Sequence, residues 1–98
     1  MAAKTIGTGN AYYWNNTQQA DFSFQRGGTY IINFPSAHPL KFSTTNDGTH
    51  GGGSNYTTGV SEPSSTQIQI VVGDTTPSTL YYFCSSHSGM GGRIDIVT

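Results

Sequence analysis

Apolar and polar residues alternate with a period of two along much of the chain, the repeat of a strand with one buried face. In residues 20–24, Phe22 and Phe24 face one way and Asp21 and Ser23 the other. Residues 66–72 (TQIQIVV) put Ile68, Ile70 and Val72 inward and leave Gln67 and Gln69 wet. Thr79–Cys84 (TLYYFC) sets Leu80, Tyr82 and Cys84 on one face, and Gly92–Val97 (GRIDIV) does the same for Ile94 and Ile96. Residues 30–34 (YIINF) form a continuous apolar run, which predicts a strand covered on both faces. Ala11–Trp14 and Leu40–Ser43 are weaker strand signals.

Turn residues punctuate these runs: Arg26-Gly27-Gly28, Phe34-Pro35-Ser36, Asn46-Asp47-Gly48, Gly73-Asp74 and Thr76-Pro77. No segment carries a 3.6-residue apolar stripe, so the pattern predicts an all-β domain, a sandwich or barrel of short strands. Residues 44–59 (TTNDGTHGGGSNYTTG) read as a long polar, Gly-rich loop. No repeat or linker divides the chain, and its 98 residues suit a single domain spanning 1–98.

Composition narrows the function classes. Charged residues make up 9% of the chain, against roughly 25% in an average soluble protein. The net charge is −1. That leaves no basic footprint for gripping nucleic acid through its phosphates and little electrostatic steering toward a charged partner. No apolar stretch approaches the roughly 18 residues a membrane helix needs. The start, Met1-Ala2-Ala3-Lys4-Thr5, has no apolar segment of secretory type. A single cysteine forbids an internal disulfide, so the chemistry of that thiol becomes the question.

Cys84 ends an apolar strand and opens the connection Cys84-Ser85-Ser86-His87-Ser88-Gly89-Met90-Gly91-Gly92, a C-x2-H-x2-M spacing. Thiolate, imidazole and thioether on one tight loop suit copper, which cycles between Cu(I) and Cu(II) and accepts all three. A trigonal His2Cys site with a long axial Met needs a second histidine. His38, just after the strand at 30–34, supplies it if strand end and loop meet at one pole of a sandwich.

The order His38…Cys84…His87…Met90, with three of the four between the last two strands, resembles the cupredoxins, the type 1 (blue) copper proteins, of plastocyanin and amicyanin type. It is also similar to cupredoxin-like modules carried in larger bacterial and bacteriophage surface proteins. The resemblance covers roughly residues 20 to 97. It implies a Greek-key β-sandwich of about six to eight strands. It further implies one copper ion held by His38, Cys84 and His87 with Met90 axial, and a one-electron carrier rather than an enzyme. The chain is then expected to be a monomer, periplasmic or at an extracellular or particle surface, docking a redox protein near His87. A copper-binding structural or adhesive module of a larger surface or virion protein is the alternative. Where many members carry Asn after the first histidine, its N–H donating to the Cys sulfur, this chain has Pro39, which has no N–H. Ser86 N–H is the expected replacement donor to the Cys84 sulfur.

Other readings are weaker. A structural zinc site would want more Cys or His. A cysteine nucleophile needs a base less local than His87. Three histidines in all are too few for a multicopper oxidase. His50, in Thr49-His50-Gly51, reads as a solvated loop residue rather than a ligand. The sequons at Asn15 and Asn55, the Gly7-Thr8-Gly9 run and the Tyr12-Tyr13-Trp14 cluster carry little functional weight.

Overall fold

A computed structural model describes residues 4–6, 11–14, 17–18 and 22–98, with side chains from residue 23 onward. The orientation of Phe22 and Asp21, the Asn15 sequon, Gly7-Thr8-Gly9 and the Tyr12–Trp14 side chains lie outside the described residues.

Among the described residues there are ten strands: β1 (Lys4–Ile6), β2 (Ala11–Trp14), β3 (Thr17–Gln18), β4 (Phe22–Gln25), β5 (Thr29–Asn33), β6 (Leu40–Ser43), β7 (Val60–Ser64), β8 (Gln67–Val71), β9 (Thr79–Cys84) and β10 (Gly92–Val97). A 3-10 turn, Gly48–Gly51, lies between β6 and β7. One sheet has the order β4-β10-β9-β6, a second β5-β8-β7, and a small third β1-β2-β3. The chain crosses between the first two sheets at β4 to β5, β5 to β6, β6 to β7 and β8 to β9. All pairings are antiparallel except β10 with β4, which is parallel. The fold is an all-β sandwich, as the alternation predicts.

Its core is one cluster drawn from both inner faces. Phe24, Leu40, Phe42, Leu80, Tyr82, Ile94 and Ile96 come from the four-stranded sheet, and Ile32, Ile68 and Ile70 from the three-stranded one. Cys84 and Met90 belong to the same cluster. These positions are the inward half of the period-two pattern, so apolar burial follows directly from the sequence alternation.

Two elements depart from the sequence reading. β5 is covered on one face only: Ile32 is fully buried while Ile31 is 44% exposed. It is an edge strand with a wet outer face, although Tyr30, Ile31 and Ile32 run consecutively through it. β7 contains Glu62 and Pro63 and carries no apolar alternation. Its place at a sheet edge, with the register shifting between Ser61 and Ser64, is where a proline that cannot donate a hydrogen bond is tolerated.

These neighbours on β5 give a direct test. Ile32→Ala should cost about 2–5 kcal/mol, and Ile31→Ala less than about 1 kcal/mol, in denaturant unfolding. Equal losses would mean that both faces of β5 are packed.

Candidate metal centre

The site begins with a register. β6 and β9 pair antiparallel with Leu40 opposite Cys84 and Ser43 opposite Tyr81. Leu40 is the first residue of its strand and Cys84 the last of its own, so the segment entering β6 and the segment leaving β9 emerge side by side. Two backbone bonds hold them there: His38 N–H donates to Pro35 C=O, closing a turn, and Ser85 N–H donates to Pro39 C=O, each at 3.0 Å. β10 returns with Gly92 opposite Tyr82, so residues 85–91 form a short bridge over the end of the sheet. A Cβ on Gly91 would collide with the Tyr82 carbonyl, so only glycine lets the bridge close this tightly.

His38, Cys84 and His87 therefore meet, with their ligand atoms all within 4.8 Å of one another. The Cys84 sulfur lies 3.7 Å from His38 Nδ1 and 3.9 Å from His87 Nδ1. The two imidazole centroids are 4.7 Å apart, tilted by 46°. A first-row ion bonded to thiolate at about 2.3 Å and imidazole at about 2.0–2.1 Å sets an S···N separation of about 3.6 Å at a tetrahedral angle and about 3.8 Å at a trigonal one. The three side chains fit a single metal ion without rearrangement of the fold. Cys84 is fully buried, His38 half-buried and His87 exposed, so the site is open on one side only. Met90 is fully buried in the cluster that contains Cys84, Leu40 and Phe34.

The expected donors His38, Cys84 and His87 thus come together, with Met90 buried in the adjoining core. His50 stays outside the trio, as read from sequence, but is not simply solvated: its Nε2 lies 2.8 Å from the Cys84 carbonyl oxygen. That oxygen only accepts, so Nε2 carries the proton. The expected donation from Ser86 N–H to the Cys84 sulfur is not present among the described residues; the sulfur's polar neighbours are the two imidazoles. Asp47 is a further participant with no sequence signal, its carboxylate accepting from Gly89 N–H at 3.0 and 3.1 Å.

No protein-family model matches the chain, and no curated protein matches it. No helix among the described residues is long and apolar enough to cross a membrane.

Loss of hydration on burial, and then the like charge of His87, hold the His38 imidazole below its ordinary pKa. At neutral pH it offers a lone pair rather than a proton, the form a metal needs. An unfolded chain takes up that proton at about pH 6.5, and the folded chain resists it, so stability is lost as the pH falls through that value. Metal-free wild type should therefore melt at falling temperature from about pH 7.5 to about pH 5, and His38→Gln should flatten the slope. An unchanged slope in the variant would assign the effect to other groups.

Proposed function

We propose that the chain is a mononuclear type 1 copper protein, cupredoxin-like, that carries single electrons. The observation behind this reading is the convergence of two imidazoles on one buried thiol, His38 from 46 residues before it and His87 from three residues after it. His38, Cys84 and His87 would hold the ion, with Met90 as the weak fourth donor. Zinc would fit the spacing equally well. The choice of copper rests on donor chemistry: one thiolate and one thioether with two imidazoles is a soft set suited to Cu(I) and still acceptable to Cu(II). Copper bound there supplies reversible one-electron exchange.

The chain's own part is to keep its ligands still and to keep water off the sulfur. Cys84 is anchored by its pairing with Leu40 of β6, at the end of a strand that β10 pairs on its other side as far as Tyr82. His38 is fixed by the Pro35 turn. His87 is the most exposed of the three, and so the edge through which an electron would leave. The exposed residues beside it, Ser86, Ser88 and Gly89, are small and uncharged. Such a patch suits a brief encounter of small area with a redox protein, recruited by shape rather than by charge. We assign no enzymatic activity, and place the protein in the periplasm or at an extracellular or particle surface as a monomer.

A second reading rests on the same geometry. The three donors join the start of β6 to the β9–β10 bridge, so an ion there would also staple the sandwich of a larger surface protein's module.

Cu(II) added to wild type should give an intense thiolate-to-copper band in the visible, absent in Cys84→Ser, and a reversible voltammetric wave. No band in wild type would end the copper reading. A band and a copper-dependent rise in melting temperature without a reversible wave would favour the staple over the carrier.

A further inference from the structure

The segment between β6 and β7 does more than connect them. Ser43, buried at the end of β6, donates its hydroxyl to Ser54 C=O at 2.7 Å, which closes the base of the segment. Inside it, Gly48 N–H donates to Thr45 C=O, His50 N–H to Asp47 C=O and Gly53 N–H to Gly48 C=O. Asp47 takes a left-handed backbone conformation, φ 62°, one of the few non-glycine residues that tolerate it. Gly48 lies flat against Phe83, where a Cβ would overlap the ring. The His50 ring meets the same phenyl edge-on, centroids 6.2 Å apart.

So seated, the segment reaches the ligand bridge at two points. His50 Nε2–H holds Cys84 C=O, at the residue where the bridge begins. Both oxygens of Asp47 hold Gly89 N–H, one residue before Met90. We propose that Asp47 and His50 are positioning residues that brace the ligand bridge at its two ends, fixing the span between the Cys84 sulfur and the Met90 thioether and so holding the metal in place. Neither touches the ion; each acts through the backbone of a ligand or of its neighbour. Pro39 has no N–H to offer the bridge, and Asp47 and His50 supply contacts from a different part of the chain. The metal-holding part of this role rests on the copper reading above; the bracing itself does not.

The test uses the full chain with paired variants. Asp47→Gly removes the carboxylate and relieves the backbone conformation, while Asp47→Asn keeps an oxygen acceptor. His50→Phe keeps a ring against Phe83 without the donor, while His50→Gln keeps a donor. In metal-free protein, Gly89 amide exchange should quicken by about tenfold or more in Asp47→Gly and stay near wild type in Asp47→Asn. In copper-loaded protein, Asp47→Gly and His50→Phe should release Cu(I) to a chelator about 10–100-fold faster, with an altered visible spectrum, and the conservative variants should largely restore both. Unchanged Gly89 exchange in Asp47→Gly overturns the brace. Wild-type release rates and spectra in both disruptive variants overturn its role in metal retention. A wild-type chain that takes up no copper defeats the copper reading and leaves the Gly89 exchange rates to decide the brace on their own.

Discussion

Leu40 opposite Cys84 is a single backbone register, yet it fixes which side chains share the end of the sheet. A slip of one residue would turn Cys84 from the inner face to the outer one and take the thiol away from both imidazoles. The register is in turn held by the core: Leu40, Phe42, Tyr82 and Cys84 are all buried, and a one-residue slip would turn one strand's pair of them outward. Hydrophobic burial, Cys84's own included, thus sets the position of the trio.

The trio sits in an unusual electrical setting. With an ion bound, a deprotonated Cys84 and two neutral imidazoles would together carry a single negative charge. That charge balances a monovalent ion completely and leaves a divalent ion with one positive charge uncompensated. Because the core beside the thiol is apolar, built from Leu40, Phe34 and Met90, water cannot fully make up the difference. The exposed His87 edge is where solvent can. Under the carrier reading, such a site would keep both charge states of a bound ion within reach of one another.

Much of this was legible in the sequence because it is written in spacings. Inward alternation located β8, β9 and β10 and their core residues, and C-x2-H-x2-M on a strand-to-strand bridge marked the thiol loop. His38 was legible only through topology, as a histidine next to a strand whose end must lie near that bridge. β5 was misjudged because periodicity reports a residue's own polarity and not what lies over it. Ile31 is exposed for want of a covering layer. Phe83, on the outer face of β9, is completely buried because the segment after β6 folds over it. Asp47 and His50 had no signature because each bonds a backbone group, and a backbone amide or carbonyl leaves no mark on the sequence that contacts it. The same holds for Ser86: its N–H was available by composition, but the direction of that N–H depends on the path of the bridge.

The glycines complete the physical picture. A Gly-rich segment such as 44–53 reads as loose chain, since glycine loses the most conformational freedom on folding. Two glycines at the site do the opposite. Gly91 lets the bridge press against the Tyr82 carbonyl, and Gly48 lets the bracing segment lie on Phe83. In both places a methyl group would prise apart the layers that hold the ligand bridge. The entropy lost at these positions is offset by close backbone approach, which brings hydrogen-bonding groups of remote segments within 3 Å of the loop that carries the donors. With a low-charge surface and a small core, this pole is held by side chains bonding to backbone groups: His50 to the Cys84 carbonyl and Asp47 to the Gly89 N–H.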